Sequence, residues 1–144
     1  MFGGGCGKFL GGNMSTVIGS ALSGLAAASR RVEVAATNIA NQNSTATQVN
    51  GVTTNKSYIP KDVVQISLGA GGVRTEVRDA NNPTVKLYDP ESLQADDYGF
   101  VEYPNVDMAE ELVNMQIASY DYKANLKSIK VHDNMTESLL NVIS

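Results

Sequence analysis

The fold is decided by the last quarter of the chain, which reads MAEELVNMQIASYDYKANLKSIKVHDNMTESLLNVI from Met108 to Ile143. Apolar residues recur there at alternating intervals of four and three, the heptad spacing of a helix with one adhesive side. A second apolar row widens this side, so we expect the helix to contact more than one neighbour. The first row is Met108, Leu112, Met115, Tyr122, Leu126, Ile129, Leu140 and Ile143, and the second is Val113, Ile117, Tyr120, Ala124 and Val131. At about 1.5 Å per residue the helix is a rod of roughly 50 Å, too long to fold over a domain of this size.

The N-terminal part of the chain repeats the pattern from Ser15 to Asn41, where small residues are common and proline is absent. Its heptad positions hold Ile18, Leu22, Leu25, Val32, Ala36 and Ile39, with Ser29 in the remaining place. The stretch therefore predicts a second helix with one narrow apolar seam. Asn38, Asn41 and Asn43 crowd its end, where asparagine can adopt the left-handed conformation that closes a helix.

Between the two helices the apolar period changes to alternation, which is typical of strands. KDVVQISL (61–68) and GVRTEVR (72–78) flank a glycine-rich loop and predict a hairpin. TVKLY (84–88) and GFVEY (99–103) predict two further short strands. Residues 43–57 are mostly Asn, Ser, Thr, Gln and Gly without a clear period, so we expect an extended or mobile connector there.

These elements predict an α+β fold, in which long N- and C-terminal helices form a coiled-coil-like domain and a small antiparallel β segment lies between them. We expect four segments. They are a flexible N-terminal tail (1–14), the N-terminal helix (15–43), the polar connector and β region (44–104) and the C-terminal helix (105–144).

Composition argues against several classes of protein. Eleven Lys and Arg against fifteen Asp and Glu give a net charge of −4, the wrong sign for binding nucleic-acid phosphates. Cys6 is the only cysteine, so one chain has neither a disulfide framework nor a thiolate metal cluster. The apolar residues near the N-terminus are interrupted by Gly, Asn, Ser and Thr, which does not predict a cleavable signal peptide. No stretch approaches the roughly 20 apolar residues that span a bilayer, so we expect no membrane insertion.

The acidic stretch YDPESLQADDYGFVEYPNVDMAEE (88–111) is the first candidate for chemistry. When Gly99 takes the sixth place of an EF-hand loop, only Asp96 puts a carboxylate in a ligand position, and Asn105 stands where the bidentate glutamate is required. Hydrolysis needs two carboxylates in different fixed environments, which the adjacency of Asp96 and Asp97 does not provide. We expect a solvated loop here, without a metal or a catalytic site.

Other motifs lack the partners that their chemistry requires. GGGCGKF (3–9) has phenylalanine at both ends of the phosphate-loop spacing, and GAGGVRTE (69–76) lacks the dinucleotide-binding glycine spacing. His132 is the only histidine, so a histidine zinc site or a catalytic triad cannot be assembled within one chain, and we expect an exposed helix residue. The sequence therefore predicts no cofactor, and we expect no enzyme.

The acidic stretch has a local structural use. Pro104 ends the strand before it, and Asp107 followed three residues later by Glu110 predicts a capping box at the start of the C-terminal helix. Asp107, Glu110 and Glu111 also place negative charge at the positive end of the helix, worth about 0.3 to 1 kcal/mol each if exposed.

Several motifs resemble one known family. SALSGLAAASRRVEVAATNIANQNST (20–45) is similar to the N-terminal helix and closing N-x-A-N motif of the axial proteins of the bacterial flagellum. YDP, GFVEYPNVD and EELVNMQIASYDYKANL follow one another as they do in the proximal rod subunits. The motif positions are Asn38, Asn41, Tyr88, Asp89, Pro90, Gly99, Tyr103, Pro104, Asn105 and Val106. Residues 1–13 have no counterpart in this resemblance, and residues 46–57 form a longer segment than is usual.

The resemblance implies a structural rod subunit of the flagellar basal body, located in the periplasm. It implies export by the flagellar type III export apparatus without a cleavable signal peptide. The implied partners are other copies of the chain and other flagellar rod subunits. The terminal helices are implied to pair into an inner domain when subunits stack helically, giving a shaft that transmits torque.

We expect the assembly interface to be built from the two seams. Its residues are Ile18, Leu22, Leu25, Val32, Ile39, Leu112, Met115, Tyr122, Leu126, Ile129 and Leu140. One alternative is a monomeric helical adaptor or binding module of a secretion system, with the two helices paired within one chain. Another is a small enzyme that uses the acidic loop.

Overall fold

The computed structural model of the chain describes residues 14–49, 52–69 and 71–143. The elements follow in the order α1 (Met14–Ala40), β1 (Thr47–Val49), β2 (Val52–Asn55), β3 (Lys61–Ser67), β4 (Val73–Asp79), β5 (Thr84–Tyr88), β6 (Phe100–Pro104) and α2 (Met108–Ile143). The predicted α+β fold is confirmed, with a long helix at each end and short antiparallel strands between them. The expected N-terminal tail lies outside the described residues apart from Met14, with which α1 begins.

The two helices pack against each other in antiparallel directions within one chain. Asn38 contacts Glu111, Arg31 contacts Asp121, and Gly24 lies close to the side chain of Asn125. Small side chains allow this close approach, because large ones would hold the helix axes apart. The buried alanines along the contact are Ala21, Ala28, Ala35 and Ala118.

The hairpin of β3 and β4 covers another side of α1. Its strands pair without interruption from Lys61 opposite Asp79 to Ser67 opposite Val73, which confirms the predicted hairpin. The Val73 backbone N–H donates to Ser23 Oγ of α1 at 3.1 Å. A Cβ added at the preceding Gly72, where φ is +91°, would lie 2.6 Å from that same hydroxyl. Glycine is therefore required where the hairpin turn approaches α1.

The hairpin of β5 and β6 leads into α2. Its register runs from Thr84 opposite Pro104 to Tyr88 opposite Phe100, so the two short strands predicted from TVKLY and GFVEY are confirmed. The rings of Tyr88 and Phe100 meet edge to face with centroids 5.4 Å apart. Val101 is fully buried in the second strand. Three residues separate the end of β6 from the first residue of α2.

Residues 43–57, for which we expected an extended or mobile connector, include a short pair of extended strands. β1 and β2 lie within this stretch and pair antiparallel, with Gln48 opposite Thr53 and Val49 opposite Val52. The register shifts between Thr47 and Gln48. Strands of three and four residues are too short to show an alternating apolar period, so the sequence pattern did not reveal them.

Candidate assembly surfaces

The side chain of Asn38 joins three parts of the chain at the end of α1. Its amide nitrogen donates to the Lys61 backbone carbonyl at 2.9 Å and to Glu111 Oε1 at 2.6 Å. Its amide oxygen accepts from the Tyr58 hydroxyl at 2.9 Å and from the Lys61 backbone N–H at 3.0 Å. Both donors and both lone pairs of the amide are thus used. Because Asn38 is only 1% exposed, these bonds fix α1 against the start of β3 and the first turn of α2.

Burial of this junction changes the acidity of two of its groups. Burial raises the pKa of the Glu111 carboxyl, and the nearby carboxylates of Glu110 and Asp62 raise it further, whereas the hydrogen bond from Asn38 opposes the change. Burial likewise raises the pKa of the Tyr58 hydroxyl, against an opposing effect of the Lys61 ammonium. Glu111 therefore does more than place charge at a helix end, because its carboxylate contacts α1 directly.

Asn41, the second asparagine of the N-x-A-N motif, closes α1. Its side-chain amide donates to the Thr37 carbonyl at 2.9 Å, and its side-chain oxygen accepts from the Ser44 hydroxyl at 3.2 Å. The backbone N–H of Asn41 donates to the same carbonyl at 3.1 Å, so the side chain adds a second bond at the end of the helix. The two asparagines therefore have different roles, one at a tertiary junction and one at the helix terminus.

The acidic loop is organised around Asp96. Its Oδ1 accepts from the backbone N–H groups of Tyr98 at 3.0 Å and Phe100 at 2.8 Å. Gly99 lies between them at φ +81°, and a Cβ there would fall 3.0 Å from the Tyr88 ring. Among the described residues, no group of three or more His, Cys, Asp or Glu side chains could hold a metal ion. The carboxylate of Asp96 is thus committed to shaping the turn.

The joint between β6 and α2 is held by two polar side chains. Asp107 Oδ1 accepts from the N–H groups of Ala109 at 2.8 Å and Glu110 at 3.3 Å, which makes Asp107 the N-cap of α2. Asn105 donates from its backbone to the Pro83 carbonyl at 2.9 Å and from its side chain to the Asn82 carbonyl at 3.1 Å. These bonds orient α2 as it leaves the β5–β6 hairpin.

Small side chains of α1 and larger ones of α2 line an open groove on one side of the helix pair. The cavity has a volume of about 640 Å³. We call it the groove, and its residues are Ala28, Ser29 and Val32 of α1 with Leu112, Met115, Gln116, Ser119, Tyr122 and Lys123 of α2. Within the described residues neither helix is apolar enough over a sufficient length to cross a bilayer.

The structure distributes the predicted seam residues unevenly. Leu25 is buried within the chain, and Val32, Ile39, Met115 and Ile129 are half-buried. The others remain between 38% and 64% exposed, and they are Ile18, Leu22, Leu112, Tyr122, Leu126 and Leu140. Their use as an assembly interface stays a prediction.

A second exposed apolar series runs along α2. We call it the outer row, and it consists of Val113, Ile117, Tyr120, Ala124, Val131, Met135, Leu139 and Val142. On a helix of 3.6 residues per turn these positions lie on the other side of α2 from the groove. α2 therefore presents two separate apolar surfaces, with Lys127 and Lys130 on the strip between them.

The row of α2 that faces α1 was missed. Glu111, Ala118, Asn125 and His132 follow one another at intervals of seven, and each is half-buried or buried. The expectation that His132 is an exposed helix residue was wrong, because its side chain is only 17% exposed and neither ring nitrogen has a hydrogen-bond partner. The heptad interval was the available signal, but polar and small residues hid it.

Comparison with known proteins gives a consistent result. A family model described as the flagellar basal body rod FlgEFG protein C-terminal matches residues 98–142. The chain is 36% identical over 129 residues to the flagellar basal-body rod protein FlgC of Salmonella typhimurium, covering 85% of this chain and 90% of that protein. It is 33% identical to the FlgC protein of Aquifex aeolicus, over 76% of this chain and 81% of that protein. The resemblance to flagellar rod proteins is thereby confirmed, and the chain belongs to the FlgC family of flagellar basal-body rod proteins.

Proposed function

We propose that this structural rod subunit assembles helically through the exposed apolar residues of α1 and α2, with other copies of itself and with other rod subunits as neighbours. The observation that carries the proposal is the outward orientation of large apolar side chains on both long helices, among them Leu22, Leu112, Leu126 and Leu140. In the periplasm such an assembly forms a stiff shaft that transmits torque. The family membership supports the rod, and the adaptor alternative gains no support from the relatives.

The large apolar side chains that a single chain leaves exposed can supply the free energy of assembly. Removing a leucine or isoleucine side chain from water contributes about 1.5 to 3 kcal/mol, and a subunit lattice repeats that gain at every contact. The contact between α1 and α2 buries mainly alanines, which gain much less per residue. Exposed apolar surface of this extent marks an interaction site in proteins that are otherwise polar outside.

The test is Leu126→Asp in cells. Leu126 is 45% exposed in the single chain, so the variant should fold. We expect it to be absent from purified basal bodies, and cells that carry it alone should not swim, because an aspartate cannot be desolvated against an apolar neighbour. The readouts are immunoblots of basal bodies and motility in soft agar.

The matched control is Ala109→Asp, which adds the same acid at an exposed position in the first turn of α2, where the helix end tolerates negative charge. It should incorporate normally. Normal incorporation and swimming of Leu126→Asp would refute the assembly role.

We also infer that the chain has no catalytic role and reaches the periplasm through the flagellar type III export apparatus, without cleavage of a signal peptide. Polar residues interrupt the apolar residues near the N-terminus, and this stretch forms part of α1. A signal peptide instead has a continuous apolar region. Mass spectrometry of the subunit from isolated basal bodies should recover peptides that begin before Arg30. A mature terminus inside α1 would contradict this route.

A further inference from the structure

The row of α2 that faces α1 continues past its last half-buried member. Glu111, Ala118, Asn125 and His132 recur at intervals of seven, and the next position at that interval is Leu139. His132 is half-buried, whereas Leu139 is 52% exposed. The row is thus covered as far as His132 and open at Leu139.

Two contacts between α1 and α2 fix one antiparallel register. Asn38 donates to Glu111 at 2.6 Å, and a Cβ added at Gly24 would lie 2.7 Å from the side chain of Asn125. The spacing from Gly24 to Asn38 equals the spacing from Glu111 to Asn125, so each step along α1 moves the facing position in α2 by one residue. The register can therefore be extended beyond both contacts.

Extended toward the N-terminus, the register assigns a partner to Leu139. Met14, the first described residue of α1, falls opposite about residue 135. Leu139 then falls opposite about position 10, which is Leu10. Three residues separate Leu10 from Met14. At up to about 3.5 Å per residue this length of chain reaches farther than the roughly 6 Å of helix between residue 135 and Leu139.

Leu139 also lies in an apolar cavity on the surface of α2. The cavity has a volume of about 430 Å³, and its described lining residues are Val131, Asn134, Met135, Ser138, Leu139 and Val142. Residues 1–13 include two phenylalanines and a leucine and have no carboxylate. An apolar side chain that enters such a cavity removes apolar surface from water on both sides of the contact.

The covalent connection favours this segment over any separate chain as the occupant. A short tether holds a segment near its attachment point at an effective concentration on the order of millimolar. Residues 1–13 are attached at Met14, which lies at the height of the cavity by the register above. A second copy of the chain would need a comparable concentration to compete for the cavity.

We propose that the segment 1–13 docks on the end of α2 within the same chain, with Leu10 against Leu139. The inference goes beyond the proposed function, because it concerns a contact inside one subunit. The contact covers only part of residues 131–142, so these residues should still open more readily than the middle of α2.

Disulfide trapping tests the contact while leaving Leu10 and Leu139 intact. In a Cys6→Ser background, Lys8→Cys is combined with Val142→Cys, which lies three residues from Leu139 on the same side of the helix. The matched control combines Lys8→Cys with Asn141→Cys. Asn141 is exposed at the same height, but two residues from Leu139 it points to nearly the opposite side.

With oxidised glutathione, we expect the Val142 pair to close an internal disulfide about tenfold faster than the Asn141 pair, because the bond requires Cα atoms within about 7 Å. The rate should not depend on protein concentration, and adding Leu10→Asp should remove the difference. Equal rates for the two pairs would overturn the docking. Disulfide-linked dimers that form faster at higher protein concentration would also overturn it, because a second copy would then occupy the cavity.

Hydrogen exchange on the full chain without added cysteines gives an independent measurement. Leu10→Asp should speed exchange in residues 135–142 about tenfold, since burying a leucine shifts an opening equilibrium by about that factor. Gly5→Asp adds the same acid to the same segment and should change little. Unchanged exchange in Leu10→Asp would overturn the docking and leave the proposed function standing. Normal incorporation of Leu126→Asp would instead remove the proposed function alone.

Discussion

Asn38 is the residue on which three elements of the chain depend, because it donates and accepts at full capacity while buried. Asn38→Asp keeps its size and the two bonds that its oxygen accepts, but a second carboxylate oxygen replaces the nitrogen that donates to Glu111 and to the Lys61 carbonyl. Two buried carboxylates in contact repel, so we expect a loss of about 3 kcal/mol or more in the free energy of unfolding. Urea unfolding followed by circular dichroism measures it.

The control for Asn38→Asp is Asn43→Asp, which makes the same charge change at an exposed position just past the same helix. It should cost less than about 0.5 kcal/mol. Adding Glu111→Gln to Asn38→Asp should restore part of the lost stability, because the glutamine amide can donate to the new carboxylate. Equal costs for the two Asn→Asp variants would show that the hydrogen bonds of Asn38 do not hold the junction.

Glu111 gives the junction a dependence on pH. Its pKa in the folded chain is raised above the ordinary value of 4.5, mainly by burial. The folded state therefore holds this proton more tightly than the unfolded state, so the stabilising contribution of Glu111 is full below about pH 4.5 and is lost as the pH rises through the folded pKa. Glu111→Gln keeps an acceptor for Asn38 and removes the charge.

We expect Glu111→Gln to be more stable than the unaltered chain at neutral pH, with an advantage that shrinks on acidification toward pH 4.5. The measurement is the unfolding free energy of both proteins across that range. Glu137→Gln, an exposed substitution on the same helix, should change stability little. An advantage of Glu111→Gln that grows with acidification would contradict the assigned direction of the pKa change.

The contact between the two helices depends on one glycine of α1. A Cβ added at Gly24 would lie 2.7 Å from the amide of Asn125, whose nitrogen donates to the Asp121 carbonyl at 2.9 Å. Nothing lies within 4 Å of a Cβ added at Gly19, so Gly19→Ala should stabilise the chain by up to about 1 kcal/mol through helix propensity. Gly24→Ala should gain less than Gly19→Ala, because the Asn125 side chain must move away and give up its bond to the Asp121 carbonyl.

Thermal unfolding of the two glycine variants measures the difference, and a third variant identifies its cause. Combining Gly24→Ala with Asn125→Ala removes the conflict and should recover the helix-propensity gain relative to Asn125→Ala alone. If Gly24→Ala stabilises as much as Gly19→Ala, the helices do not approach closely at this point.

At the scale of elements, periodicity explains what the sequence could predict. An apolar pattern can repeat along the two helices and along the strands of the hairpins β3–β4 and β5–β6, because these elements are long enough. β1 and β2 are too short to do so. The row of α2 that faces α1 was missed for a different reason. Glu111 and Asn125 are polar and Ala118 is small, so the row shows no repeat of large apolar residues.

The residues of the candidate assembly surfaces could likewise be predicted only in part. The exposed seam residues, such as Leu112 and Leu126, were identified because they are large and periodic. The partners of Asn38 lie 23 and 73 residues away at Lys61 and Glu111, and no local pattern connects them. Sequence spacing therefore located the surfaces that the chain offers, whereas the contacts that hold its own elements together required the fold.

For the whole molecule, the uneven packing of α2 predicts uneven stability. Its middle lies against α1 through the buried Ala118, whereas residues 131–142, which we call the tip, have mostly exposed side chains. Backbone amides without tertiary packing exchange through local opening at low free-energy cost. In the isolated chain we therefore expect fast hydrogen exchange in residues 131–142 and slower exchange in residues 111–129.

In the assembled rod, neighbouring subunits should slow exchange at the tip. Hydrogen exchange with mass spectrometry on the free chain and on isolated basal bodies measures both states. A self-contained adaptor would protect the tip already in the free chain, so equal protection of the tip in the two states would contradict a role for α2 as an assembly element.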